Sequence, residues 1–224
     1  RIEAGPPGYI VKEQLWEHLD SFVDNTLNWL KQQNISPDLL HSHYADAGYV
    51  AVRLSNITGI PVVHTGHSLG RDKKRRLLAT GMPLEQINQQ FNMLTRINAE
   101  EHTLANAELI ITSTSNEIND QYEIYDYYPP EKMIVIPPGI DLDKFHPPRL
   151  GDRPPQVIQD IRRFLDEPDK PMILALSRAD GRKNLEALVK AFGENRELNS
   201  IANLVIIAGN REDIRAMDEG ARKV

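Results

Sequence analysis

The segment TGHSLGRDKKRR at 65–76 brings together an imidazole, a hydroxyl, two glycines and a run of cations. It follows the apolar run Pro61-Val62-Val63-His64, which reads as a buried strand bounded by turn residues. The pattern predicts a strand end, a turn through Gly66 and Gly70, and His67 and Ser68 at its mouth. In an open α/β sheet, ligands bind at the carboxyl ends of strands. Two chemistries fit this position. GHSLG matches the G-x-S-x-G nucleophile elbow of a serine hydrolase, with Ser68 as nucleophile. Alternatively, His67 and Ser68 touch a sugar while Arg71, Lys73, Lys74, Arg75 and Arg76 hold a phosphate. A solvated basic turn is the third reading. The charged residues that open the next helix argue against the elbow, whose helix packs on the sheet. The histidines downstream do too, since His102 falls in a helix and His146 beside two prolines.

A second anion site is expected at 177–184. The strand Met172-Ile173-Leu174-Ala175-Leu176 ends in SRADGRKN and a helix begins. A strand-end loop feeding a helix N-terminus offers free backbone N–H groups and the positive end of the dipole. Arg178 and Lys183 add side-chain cations, and the combination suits a diphosphate. Helix capping with surface charge is the competing reading. No G-x-G-x-x-G or Walker A pattern supports a dinucleotide or P-loop site. His41 and His43 lie two apart without a third ligand nearby, so a loop or core role is preferred to metal binding.

The composition narrows the classes. The net charge of −6 over 224 residues disfavours a general nucleic-acid binder, so the cations at 71–76 read as a local site on an acidic protein. Cysteine is absent, which removes disulfides and thiolate metal sites and agrees with a cytoplasmic protein. No apolar run nears the roughly 18 residues of a membrane span. RIEAGPPGYIVKEQLW does not look like a secretion signal.

The elements that must position these residues follow from hydrophobic periodicity. A helix is expected over 12–33, with Leu15, Trp16, Leu19, Phe22, Val23, Leu27 and Leu30 on one face. Residues 38–43 read as a strand running into a loop, and 45–58 as a helix rich in small residues. One long helix is expected from 84 to 106, followed by a strand at 108–112, a helix from Asn116 and a strand at 132–136. The pairs Pro137-Pro138, Pro147-Pro148 and Pro154-Pro155 forbid a helix and mark a connector over 141–155. Beyond it come a helix at 156–166, a helix from Lys183 and a strand at 204–208. Short apolar strands alternating with amphipathic helices imply parallel sheets covered on both faces. The domains are expected at 1–140 and 156–224.

HYADAG (43–48), TGHSLGRDK (65–73), TRINAEE (95–101), ELIITSTSNEI (108–118), VIPPGIDLDKFHP (135–147) and SRADGRKN (177–184) resemble the sucrose-phosphate synthases. These are retaining nucleotide-sugar glycosyltransferases of the GT-B fold. The resemblance covers most of the chain, and HYADAG with GHSLGRDK is its specific part. It implies an α/β fold of two Rossmann-like parallel-sheet domains facing a cleft, an N-terminal acceptor domain and a C-terminal nucleotide-sugar domain. The implied reaction is glucosyl transfer from UDP-glucose to the 2-hydroxyl of fructose 6-phosphate, giving sucrose 6-phosphate and UDP. Lys12, Tyr44, Ser68, Lys73 and Arg96 would hold the acceptor, chiefly its phosphate. His67 would contact the transferred glucosyl unit, and Arg178 and Lys183 would neutralise the leaving diphosphate. No cofactor is required and no metal ligands are implied, with Mg2+ stimulation left open. Small-molecule substrates are the only partners implied, with no nucleic acid and no membrane. The family's first strand with its glycine-rich loop and its E-x7-E donor motif have no counterpart here. Both domains are therefore expected to be incomplete, and this piece alone is expected to be weakly active or inactive. A sucrose-synthase-like enzyme, another donor or acceptor, and a non-catalytic sugar-phosphate-binding module stay open.

Overall fold

The computed structural model describes residues 2–8, 10–147, 149, 151–178 and 181–208, without the side chain of Arg182. The chain forms two compact units that meet in sequence between Phe145 and His146, inside the proline-rich stretch.

The first unit is a parallel four-stranded sheet in the order β1 (Leu40–His43), β2 (Val62–Thr65), β3 (Leu109–Thr112), β4 (Met133–Val135). A short 3-10 segment, Lys12–His18, precedes α1 (Leu19–Gln33), and α2 (Tyr44–Thr58) joins β1 to β2. Then α3 (Gly70–Ala79), α4 (Leu84–Phe91) and α5 (Met93–Asn106) join β2 to β3. A π-helical turn, Glu117–Tyr122, and a 3-10 turn, Pro130–Lys132, lie between β3 and β4. Strand alternation sends Val62 and Ile110 into the core with Ala51, Leu69, Leu104, Ala107, Tyr122, Tyr125 and Met133. On the other side of α2, Val50 and Leu54 pack with Val23 of α1.

Two helices differ from expectation. The 12–33 helix begins as a 3-10 segment with no buried residue, and only from Leu19 does it run as an α-helix. Its first turns are tied elsewhere, since Glu13 O accepts from Asn92 Nδ2 at 3.4 Å. The 84–106 helix is broken at Asn92, which takes a left-handed φ of 46°. Asparagine tolerates that conformation because its short polar side chain bonds locally. Here Asn92 Oδ1 accepts from Thr95 Oγ1 at 2.8 Å. The break lets Ile87 of α4 and Met93 and Ile97 of α5 form one cluster.

The small residues of α2 have a packing reason. Ala45, Gly48, Ala51 and Val52 are buried, as are Ala99 and Thr103 of α5. A Cβ on Gly48 would lie 2.5 Å from Thr103 Oγ1 and 3.2 Å from His64 Cε1. Glycine at 48 therefore sets the distance between the two helices.

The second unit holds α6 (Gln156–Arg162), β5 (Met172–Ser177), a 3-10 turn at Gly181–Lys183, α7 (Leu185–Glu194), α8 (Arg196–Ile201) and β6 (Asn203–Ala208). β5 and β6 are parallel in the register Met172↔Asn203 to Ser177↔Ala208. Among the described residues no helix or strand lies between Val135 and Gln156, and no helix is long and apolar enough to cross a membrane.

Gly48→Ala is expected to destabilise the first unit by about 1–3 kcal/mol, the usual cost of overpacking. Thermal unfolding followed by circular dichroism checks this through a lowered midpoint.

Candidate active site

The carboxyl ends of β1 and β2 carry a file of aromatic rings. His41 and His43 are two apart on β1 and so share one face of the sheet, with ring centroids 4.4 Å apart. His41 Nε2 lies 3.0 Å from Thr65 Oγ1, across to β2. Beyond the strand ends, the centroids of the His43 and His67 rings are 5.0 Å apart with an interplanar angle of 21°, and the His67 ring lies 4.9 Å from that of Tyr44. His43 Nδ1 and His67 Nε2 are 2.7 Å apart, a hydrogen bond between imidazoles. On the opposite face the register partners Ser42 and His64 meet, Oγ to Nδ1, at 2.9 Å. His64 is 1% exposed. Burial, followed by the charges of His43, His41 and His67, lowers its pKa to about 4. His41 is also lowered, first by burial and then by His43 and His67.

The turn after β2 differs from the expected one. Ser68 N donates to Gly66 O at 2.7 Å, closing a three-residue γ-turn centred on His67, whose φ is 58°. The positive-φ form of this turn is rare and strained, and a left-handed residue with a Cβ costs about 1–2 kcal/mol. Strain thus falls on His67, not on a glycine, and Gly70 is the first residue of α3. The glycines serve close approach. A Cβ on Gly66 would lie 2.4 Å from Tyr122 Oη, and one on Gly70 would lie 2.7 Å from Glu100 Oε2.

Glu100 of α5, 3% exposed, ties the turn in place. Both of its oxygens accept from Gly70 N, at 3.0 and 2.9 Å, and Oε1 also accepts from Arg96 Nε at 3.0 Å. Tyr125 Oη donates to Oε2 and accepts from Arg71 N at 3.1 Å. Burial pushes the Glu100 carboxyl up, against the opposing pull of Arg96, Tyr125 and the Gly70 amide. With its Nε held by Glu100, Arg96 turns Nη2 to the carbonyl oxygen of Ser68 and, at 3.3 Å, to Ser68 Oγ.

This geometry does not form a nucleophile elbow. The strained residue is His67, Ser68 Oγ meets a guanidinium, and the His67 imidazole is engaged by His43.

The run of cations is more divided than its sequence implies. Arg71 Nη2 pairs with Glu101 and Asp126, and its guanidinium lies 5.4 Å from the centroid of the Tyr125 ring. Arg75 and Arg76 both pair with the buried Asp72, at 2.7 and 2.8 Å. Each of these three arginines has a carboxylate partner within the first unit. Lys73 Nζ stands 3.6 Å from the centroid of the Phe91 ring.

Of the residues singled out in the sequence, Tyr44, His67, Ser68 and Arg96 come together around the end of β2. Lys73 lies one turn into α3, and Lys12 sits on the segment tied to Asn92, next in sequence to Phe91. Lys12 is exposed and 3.8 Å from Glu13. Arg178 follows β5 and Lys183 closes the 3-10 turn ahead of α7, both exposed in the second unit. Ala179 and Asp180 of the same motif lie outside the described residues. Sequence reasoning gave no role to Glu100 or Glu101, and gave His43 only a loop or core role. The adjacent carboxylates on a largely buried helix and the His-x-His spacing on a strand were their only signals. Among the described residues, no group of three or more acidic, histidine or cysteine side chains could hold a metal ion.

The family model of Glycosyltransferase Family 4 matches residues 2–144. The chain belongs to that family. A probable sucrose-phosphate synthase 2 of Arabidopsis thaliana is 40% identical over 259 residues, covering 96% of this chain and 24% of its own length. A probable sucrose-phosphate synthase of Solanum tuberosum is 40% identical over 264 residues, covering 97% of this chain and 25% of its own. The chain thus spans about a quarter of the length of these curated relatives. Among solved structures, a sucrose-phosphate synthase from Thermosynechococcus elongatus superposes with a TM-score of 0.70 at 25% identity, over 100% of this chain and 49% of that one. The catalytic domain of starch synthase IV from Arabidopsis thaliana, bound to ADP and acarbose, matches at a TM-score of 0.56 and 15% identity, over 89% of this chain and 48% of that one. For this Family 4 glycosyltransferase the fold class is therefore α/β of the GT-B type.

Two outcomes follow from the buried groups. Glu100→Ala leaves the Arg96 guanidinium, the Gly70 amide and Tyr125 Oη without their acceptor, and is expected to cost about 3–5 kcal/mol, read as a lowered unfolding midpoint. His64 has a folded pKa below its unfolded value of 6.5. The unfolded chain therefore binds more protons between the two, and stability falls as pH drops from 6.5 towards 4. The loss is on the order of 3 kcal/mol. Urea unfolding across that range, flattened in His64→Gln, checks it.

Proposed function

We propose that this chain is part of a retaining glucosyltransferase that moves glucose from UDP-glucose to the 2-hydroxyl of fructose 6-phosphate, releasing UDP and sucrose 6-phosphate. The observation that carries the reading is the Arg96 guanidinium fixed by buried Glu100 against Ser68 at the strand ends, with Lys73 on the adjoining helix. Fixed cations beside hydroxyls suit a phosphorylated sugar, because a charge-assisted hydrogen bond is stronger than a neutral one. The curated relatives named as probable sucrose-phosphate synthases support the same substrate pair.

In this reading the first unit takes the acceptor. Lys12, Lys73 and Arg96 receive its phosphate, and Tyr44 and Ser68 supply hydroxyls. The His67 imidazole, at the end of β2, meets the transferred glucosyl unit. In the second unit Arg178 and Lys183 neutralise the diphosphate as the glycosidic bond to it breaks, which is electrostatic stabilisation where charge grows. The reading needs no resident cofactor, and Mg2+ is a variable of the assay. It places the enzyme in the cytoplasm, which a cysteine-free chain suits.

The test is UDP release by the full-length protein, given UDP-glucose with fructose 6-phosphate or with fructose. Release is expected only with the phosphorylated sugar. Lys73→Ala should raise the KM for fructose 6-phosphate by about ten- to a hundredfold, matching the roughly 1.5–3 kcal/mol of a charged hydrogen bond. Equal use of fructose would sink the acceptor assignment, and no release with either would sink the reaction.

A further inference from the structure

We propose that His43 is a positioning residue, whose Nδ1 holds His67 Nε2 and so fixes the direction in which the strained γ-turn presents the His67 imidazole. The inference rests on the reading in which His67 meets the transferred sugar.

Four observations converge on it. His67 lies at the centre of a γ-turn with φ 58°, a conformation its backbone does not prefer. Its ring is nonetheless placed by two neighbours: His43, through the 2.7 Å hydrogen bond with the two rings only 21° from parallel, and the Tyr44 ring. His43 is itself held from behind, since it is the last residue of β1, in register with Thr65, and packs on His41. His41 is in turn bonded to Thr65 Oγ1. A chain of contacts therefore runs from the sheet through His43 to a side chain standing beyond it. The Ser68 backbone on the other side of the turn is fixed independently by Arg96. Strain that persists only because surrounding groups over-determine it is a mark of functional sites.

The bond also fixes a proton count. One of the two facing nitrogens must carry a hydrogen and the other a lone pair.

The test uses the full-length protein with His43→Ala and His43→Asn, because an asparagine amide places a donor and an acceptor near the position of Nδ1. For His43→Ala, kcat is expected to fall by about ten- to a hundredfold, the scale of a misplacement near 1 Å. KM for fructose 6-phosphate should change by less than about twofold, since none of its proposed phosphate ligands is touched. His43→Asn should recover most of kcat. A kcat for His43→Ala within about twofold of wild type, or an Asn variant no better than Ala, would overturn the proposal. A crystal structure of His43→Ala gives a readout independent of turnover. Displacement of the His67 ring supports the proposal, and an unmoved ring overturns it. Wild-type protein without UDP release would refute the reaction proposed above, while this crystallographic comparison would still decide the role of His43.

Discussion

The Glu100 carboxylate is the constraint on which the geometry of the first unit depends. It is buried, so its acceptor capacity must be met by the protein. The groups that meet it come from three separate segments. Gly70 N is the start of α3, Arg96 is one turn earlier on α5, and Tyr125 belongs to the segment after the π-helical turn. A single side chain therefore sets where the loop after β2 ends, where a guanidinium points and where the chain passes on its way to β4. Glycine at 70 is part of the same constraint, because a methyl group there would meet the carboxylate itself. Glu101 repeats the arrangement towards the surface, accepting from the amides of Asp126 and Tyr127 and pairing with Arg71.

This network explains why a basic helix N-terminus is stable. Cations in the first turn oppose the positive end of the helix dipole, yet α3 begins Gly-Arg-Asp-Lys-Lys-Arg-Arg. Two things offset the opposition. A full carboxylate, Glu100, sits on the first amide, and Asp72 lies inside the first turn with Arg75 and Arg76 on its two oxygens. Arg71 is drawn away to Glu101 and Asp126. The arginines of the run thus have carboxylate partners within the fold, while Lys73 of the same helix and Arg96 are among the cations that the proposed function uses.

How far the sequence could be read follows from which signals are local. The strands were legible because Pro-Val-Val-His, Leu-Ile-Ile-Thr and Met-Ile-Val are short apolar runs between turn residues, and a parallel sheet needs nothing more. The Asn92 break was harder, because apolar periodicity continues through it, and only an asparagine able to take a left-handed φ marks the place. Tyr44 and Arg96 were found by resemblance and Ser68 already from the turn motif, and the structure brings Ser68 and Arg96 into contact. The charge pattern at 71–76 was legible only in part, because sequence shows cations but not the carboxylates of Asp126 and Glu101 that fold back onto Arg71. His43 and Glu100 were missed for the same reason. The partner of His43 is 24 residues away, and the Gly70 amide that meets Glu100 is 30 residues from it.

The two ends of the turn after β2 are held by different physics, and that difference bears on function. Its C-terminal end is anchored in a buried, charge-rich network with little room to move. Its centre, at His67, is exposed, strained and held by contacts between rings, which are individually weak and compete with water. The proposed function suits such a division, because in that reading the groups holding a phosphate are rigid while the group meeting the reacting unit is accessible. Strain at His67 is tolerated because the network at Gly70 determines where the backbone must go next. The residue that makes the left-handed turn is an imidazole rather than a glycine, although a glycine would relieve about 1–2 kcal/mol of that strain. Under the proposed function a glycine would leave no imidazole at the strand end to meet the transferred sugar, so the strain falls where that reading needs a side chain.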